Sequence, residues 1–331
     1  MTLTSPMTPS RLLVLGGTGF VGRAFVARWL AMAGSGAATL CIPTRRRVRG
    51  HALAMLPGVE LVEADVHDPV QLDRLLQGAD AVVNLVAILH GSPAQFERTH
   101  VALPQQLAAA CQRAGVRRLV QVSALGVPDG DPASAPSHYL RSKARGEAVL
   151  RAAAASSGLA LTVLRPSVIF GAEDRFIRLF ARLQALVPVM ALAGATARFQ
   201  PVWVEDVARA LVRCLQDRGT VGQTIECAGL DVFTLAELVR LAGRWSGHGR
   251  LVLPLPAWAG RVQAAALGLL PGEPLMSGDN LDSMRVPNVA TGRHPGLEAL
   301  GIVPAAIAVV MPPVLSAGCT AADRRRLSGG G

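Results

Sequence analysis

The most constraining feature of this chain is a junction near its start. Residues Arg11–Leu15 form a short apolar run, Gly16, Gly19 and Gly22 follow in GxxGxxG spacing, and an apolar-periodic stretch continues to about residue 32. An uninterrupted apolar run of this length suits a strand buried on both faces, as in a parallel sheet. Gly16 allows a tight turn, Gly19 lets the backbone approach a pyrophosphate, and Gly22 permits close packing of helix on strand. The first turn of the helix has N–H groups without intrahelical partners, which suit phosphate oxygens. Thr18, Phe20 and Val21 lie in the same turn and are expected beside the cofactor. The junction predicts an α/β Rossmann fold, a doubly wound parallel sheet that binds a dinucleotide.

Residues 39–43 read as the second strand. In an NAD site a carboxylate ends this strand and holds the ribose 2′-OH. No Asp or Glu precedes Glu60, and the strand runs instead into Thr44, Arg45, Arg46 and Arg47. Guanidinium groups there match a 2′-phosphate, and Arg45 can also stack on adenine. The expected cofactor is therefore NADP(H) in preference to NAD(H); a solvated basic turn is the alternative reading. A third strand, residues 59–64, leads to Asp65 and Val66, where the acid can accept from the adenine amino group. Strand 81–86 follows a helix over 70–77, and Val86 and Ala87 are expected along the nicotinamide ribose.

A second signal lies at Tyr139 and Lys143, the only tyrosine and the only lysine in 331 residues. Four apart on a helix, they share one face. A nearby ammonium stabilises a phenolate, so the phenol is expected to titrate closer to neutrality and to exchange a proton with a substrate oxygen. A strand over Arg118–Val122 ends at Ser123. Residues just past strand C-ends face the ligand crevice of such a sheet, so Ser123 is placed to hydrogen-bond a substrate oxygen. The catalytic candidates are Ser123, Tyr139 and Lys143. A further strand, residues 159–164, closes on Arg165 and Pro166, and Pro166 joins the expected cofactor contacts.

Alternating strands and helices continue to residue 165, with a helix over 94–114 before the fifth strand. The core is expected over residues 11–170, with 200–228 returning to it. Residues 171–199 and 229–318 read as a small C-terminal substrate-binding region, and 319–331 as a basic, disordered tail. An apolar helix over 257–270 carries Trp258 and Arg261; it is read as core, with a cleft cover or a membrane contact as the alternatives. The net charge is +10. Nucleic acid is not the expected partner, because aromatics make up only 4% of the chain and no recognition module is present. The five cysteines show neither CxxC nor metal spacing, so no metal site is expected and a reducing compartment is. No signal or import sequence and no long apolar run is evident, which points to a cytoplasmic protein.

GGTGFVG, Asp65-Val66, Ser123, YxxxK and the run Leu164-Arg165-Pro166-Ser167-Val168-Ile169-Phe170-Gly171 together resemble the extended and atypical short-chain dehydrogenase/reductases. Ile42-Pro43-Thr44-Arg45, the Gln121–Gly126 stretch (QVSALG), Phe170-Gly171-Ala172-Glu173-Asp174, Asp279-Asn280 and Leu300-Gly301-Ile302 are similar to bacterial relatives of the NAD(P)H-binding accessory subunit of respiratory complex I. The resemblance spans residues 11–315. It implies that Tyr139 is the acid/base, that Lys143 lowers its pKa and holds the nicotinamide ribose, and that Ser123 orients the substrate. It implies an oxidoreductase or epimerase acting on a small-molecule substrate, an apolar and quinone-related carbonyl or alcohol. It implies equally a non-catalytic, NADPH-bearing structural or assembly factor, peripheral at the inner face of the inner membrane and in contact with a respiratory or quinone-pathway protein.

Overall fold

The computed structural model of the protein describes residues 9–33, 39–268 and 276–316. The chain divides into two compact units. The first consists of the described residues up to Pro166, with Glu205–Cys227 and Thr291–Val303; the second holds Ser167–Val204, Ala228–Ala290 and the described residues from Pro304.

The first unit is built on β1 (Arg11–Leu15), α1 (Phe20–Ala33), β2 (Thr39–Thr44), β3 (Val59–Glu63), α2 (Pro69–Leu76) and β4 (Ala81–Asn84). Helix α3 begins at Pro93–Glu97, passes through a π-helical turn at Arg98–Ala102 and continues as Leu103–Ala114. Then come β5 (Arg118–Val122), α4 (His138–Ser157), β6 (Ala160–Pro166), α5 (Val204–Gln216) and β7 (Thr224–Cys227). All seven strands run parallel, in the order β7-β6-β5-β4-β1-β2-β3. β1 therefore has β2 on one side and β4 on the other, with Leu13 opposite both Cys41 and Val82. The winding reverses there, and the C-terminal ends of β1 and β4 open the crevice in which such sheets take their ligands.

The strands are apolar on both faces because helices cover both sides. Leu12, Leu13, Val14 and Leu15 are all fully buried, as are Val82 and Val83. Local chemistry sets the helix ends. Asp68 accepts from the N–H groups of Val70 and Gln71 to start α2, and Ser137 accepts from Leu140 N–H to start α4. Gly115 and Gly158, with φ of 71° and 69°, end α3 and α4. Strand β4 stops at Asn84, earlier than its apolar pattern suggests. The Asn84 amide donates to Gln121 Oε1 at 2.8 Å and its oxygen accepts from Val86 N–H at 3.1 Å, which turns the chain out of the sheet.

The second unit packs helices Ile177–Leu186 and Leu235–Trp245 around Phe170, Phe180, Leu238 and Met311. Val189–Leu192 pairs in parallel with Leu251–Pro254, a two-stranded sheet that the residue pattern does not announce. The helix Ala257–Gly268 departs from the core reading: Trp258 is 72% exposed and Val262 63%. Residues 269–270 of that stretch, Cys319 and the basic tail lie outside the described residues. No helix among the described residues is long and apolar enough to cross a membrane.

Candidate active site

The glycine turn leaves β1 at Gly16, whose φ of 78° is a left-handed conformation that a side chain resists. A Cβ on Gly22 would lie 2.5 Å from Gly17 Cα, so α1 packs on the turn only because both residues lack side chains. Gly19 is exposed, and a Cβ there would meet only Gly16 O, at 3.1 Å. Gly19 N–H donates to Gly16 O at 2.9 Å and closes the turn, which leaves the first N–H groups of α1, at Phe20 and Val21, to face a phosphate. Arg23 donates to Thr18 O at 2.6 Å and braces the turn. Gly16 also lies directly against the segment after β4, within 3.3 Å of Val86 N for a built Cβ. The turn and Val86 are thus neighbours, and exposed Ala87 follows.

At the other end of the crevice, β2 ends at buried Thr44, and Arg45 and Arg46 stand exposed beyond it. The Asp65 carboxylate is already engaged. One oxygen accepts from His67 N–H at 3.0 Å, and the other lies 3.6 Å from the Arg98 guanidinium. Val66 is half-buried behind it. His67 sits among these charges. Burial and the Arg98 and Arg45 guanidiniums hold its pKa below the usual value, against an opposing pull from Asp65.

Ser123 follows β5 and is anchored by its N–H to Leu164 O at 2.7 Å. Its side chain is buried, and Oγ has no hydrogen-bond partner. Lys143 is buried too, its Nζ donating to Val122 O at 3.3 Å. Ser123 and Lys143 line one small cavity of about 10 Å³ with Val86, Thr99, His100 and Gln121. Such a space is about one water in size, and Lys143 retains donors beyond the one used by Val122. Pro166 is buried beside this region, its carbonyl accepting from Leu125 N–H at 2.9 Å.

Tyr139 and Lys143 do share a face of α4, but the electrostatics differ from the expectation. Lys143 Nζ lies 6.0 Å from the Tyr139 ring centroid. The ring packs against Ala124, Val127, Leu140 and Ala144. Burial raises the phenol pKa above its ordinary value. Burial also pulls Lys143 down to about 8, with Glu147 acting the other way. Desolvation sets the direction, so Tyr139 is held as the neutral phenol, a proton donor at working pH.

One residue of the site has no signature in the sequence. His100, on the π turn of α3, is buried and lines the same cavity as Ser123 and Lys143. Its Nε2 accepts from Ile88 N–H at 3.2 Å, which assigns the proton to Nδ1. Nδ1 then donates to Ser142 Oγ at 2.8 Å, and Ser142 donates to Tyr139 O at 2.8 Å. The His100 ring meets the Tyr139 ring edge-on, with centroids 5.5 Å apart. Burial, then Lys143, press the imidazole pKa down to about 2, so it stays neutral. Beneath the site, Arg165 grips Glu147 through two bonds of 2.9 and 2.8 Å and Asp129 through one of 2.6 Å. Arg151 also holds Glu147, and His294 holds Asp129 at 2.7 Å. Among the described residues, no group of three or more His, Cys, Asp or Glu side chains is placed to hold a metal ion.

Residues 12–228 match the sequence profile of the NAD dependent epimerase/dehydratase family. The chain is 32% identical over 302 residues to NADH dehydrogenase [ubiquinone] 1 alpha subcomplex subunit 9 of Mus musculus mitochondria, covering 88% of this chain and 76% of that protein. It is 30% identical over 246 residues to ceramide reductase of Caulobacter vibrioides, covering 73% of each. Among solved structures, the dTDP-glucose 4,6-dehydratase DesIV of Streptomyces venezuelae superposes with a TM-score of 0.71 at 24% identity, over 92% of this chain and 95% of that one. That likeness concerns the fold, an NAD(P)-binding Rossmann sheet.

Proposed function

The chain belongs to the NAD dependent epimerase/dehydratase family, and on that premise we propose an NADP(H)-dependent oxidoreductase or epimerase acting on a small, apolar carbonyl or alcohol, with quinone-related compounds as the favoured class. The observation that carries this reading is Ser123 Oγ, a buried hydroxyl without a partner, on the same cavity as Lys143. A buried, unsatisfied hydroxyl costs about 1–3 kcal/mol, and a ligand oxygen would remove that cost. Similarity to a ceramide reductase supports an apolar substrate.

In this reading Gly16, Thr18, Gly19, Phe20, Val21 and Gly22 hold the pyrophosphate. Asp65 and Val66 border the adenine, and Val86, Ala87, Lys143 and Pro166 the nicotinamide half. Arg45 and Arg46 hold the 2′-phosphate and set the preference for NADP(H), since no carboxylate ends β2. The bound nicotinamide supplies or accepts the hydride. Ser123 Oγ donates to the substrate oxygen and fixes its position. The Tyr139 phenol oxygen gives the proton to that oxygen in reduction and takes it back in oxidation. Lys143 stabilises the phenolate left behind and grips ribose hydroxyls. The second unit is assigned the substrate-binding region.

A second reading rests on the raised Tyr139 pKa and on similarity to a complex I subunit: a protein that binds NADPH without turnover and acts in or beside a respiratory or quinone-pathway assembly. The two readings separate in one set of measurements. Nucleotide-stripped protein and Arg45→Ala are titrated with NADPH and NADH, and Tyr139→Phe is assayed with quinone and long-chain carbonyl substrates. Tighter NADPH binding that Arg45→Ala erases, with turnover lost in Tyr139→Phe and binding kept, supports the enzyme. Tight NADPH binding with no turnover on any substrate favours the structural reading. Absence of nucleotide binding refutes both.

A further inference from the structure

The second unit carries an apolar surface that the oxidoreductase reading does not use. In the sheet of Val189–Leu192 and Leu251–Pro254, Met190, Leu192 and Val252 face the core, while Val189, Leu251 and Leu253 are 40%, 63% and 46% exposed. Alternating side chains point to opposite faces of a strand, so a solvated outer face should be polar. Here it is apolar. Leu186, just before the first strand, is 79% exposed.

The helix Ala257–Gly268 continues from the second strand and lies against the first. Gln263 donates to Ala191 O at 3.0 Å, and a Cβ on Gly260 would press on Ala193 Cβ at 2.8 Å. With Gly260 and Gln263 inward, Trp258, Arg261, Val262 and Ala265 fall on the outer face, and all four are exposed. Two apolar faces therefore adjoin, one from the sheet and one from the helix.

Arginine dominates the charge around them, with Asp282, beside Arg261, on the neighbouring helix Gly278–Ser283. Residues 175–204 and 238–272 contain eight arginines and no carboxylate. Arg182, Arg250 and Arg261 are exposed close to the apolar residues; Arg250 donates to Gln184 O at 3.0 Å, and Arg261 lies 3.8 Å from Asp282. A protein partner would be recognised by matching shape and paired polar groups. A bilayer asks only for an apolar face with a tryptophan at its margin and cations that reach the headgroups. We propose that this face, centred on Leu251, Leu253, Trp258 and Val262 and rimmed by arginine, docks the protein on an anionic lipid bilayer. The contact is peripheral and independent of nucleotide binding.

The test is co-sedimentation of the full chain with vesicles of phosphatidylcholine alone and with 30% phosphatidylglycerol, at low salt and in 0.5 M NaCl. The double variant Trp258→Glu, Val262→Glu is compared, since both positions are already solvated and the substitutions leave the core intact. Retained NADPH binding and an unchanged melting temperature establish its folding. A third variant, with Arg324, Arg325 and Arg326 changed to Gln, isolates the basic tail. Expected are sedimentation with the anionic vesicles, weakening in salt, a loss of at least about tenfold in the double variant, and persistence in the tail variant. Equal sedimentation of wild type and double variant overturns the proposal, as does binding lost in the tail variant alone. So does absence of binding to either vesicle. A concentration-dependent dimer without vesicles, abolished by the double variant, would assign the face to a second copy and also overturn it.

Discussion

Gly146→Ala is a sharp test of how the site is held together. Gly146 lies on α4 where it crosses the π turn of α3, and a Cβ built there falls 1.9 Å from the His100 carbonyl oxygen. Carbon–oxygen contacts normally sit at about 3.3–3.6 Å, so the two helices must part by roughly 1.4 Å at this point. Overpacking of this kind costs about 1–3 kcal/mol, and sometimes more. Parting the helices also threatens the His100–Ser142 bond of 2.8 Å, worth about 1 kcal/mol. Against this, alanine is the better helix former by about 0.8–1 kcal/mol. The steric term is the larger, so the variant should lose about 1–3 kcal/mol in urea unfolding at pH 7. Ala148→Gly, exposed two residues on, should lose about 1 kcal/mol by propensity alone. Both changes are then destabilising although they exchange the same residues in opposite directions. Lys143 lines the cavity beside this contact, so Gly146→Ala should also weaken NADPH binding. A Gly146→Ala protein as stable as wild type would show that α3 and α4 do not touch as described.

Arg165→Met leaves Glu147, 4% exposed, with Arg151 as its remaining ion-pair partner and Lys143 one turn away; a loss of about 3–5 kcal/mol in urea unfolding is expected, and a loss below about 1 kcal/mol would show that these two cations suffice. Lys143 has a folded pKa of about 8 against an ordinary 10.5, so between those values the unfolded chain holds the extra proton and stability rises with pH. Nucleotide-free Lys143→Met should therefore exceed wild type below pH 8, by on the order of 3 kcal/mol, with the gap closing as pH rises towards 10.5; a constant gap would refute the depressed pKa. His100→Leu strips Ile88 N–H and Ser142 Oγ of a partner and should cost about 2 kcal/mol, while His100→Asn should recover part of it; equal losses in the two would count against the hydrogen-bonded role.

The parts of this protein legible in its sequence are those set by local covalent constraint. Glycine takes the φ of 78° at Gly16 without the cost a side chain would bring, and only missing side chains let Gly22 sit on Gly17. Apolar runs of strand length separated by helical periods are enough to announce a parallel sheet, and four-residue spacing on α4 is enough to place Tyr139 and Lys143 on one face. Tertiary structure decided the rest, because those properties depend on neighbours distant along the chain. Tyr139 has its pKa raised by burial, and the Phe96 and His100 rings that pack on it come from 43 and 39 residues away, which no spacing encodes. His100 becomes part of the site through Ile88 and Ser142, 12 and 42 residues away. The apolar pattern of 257–268 is compatible with core or surface alike. Which it is follows from Ala191 and Ala193 taking up the inner face and nothing among the described residues covering Trp258, a matter of which surfaces meet when the chain closes on itself.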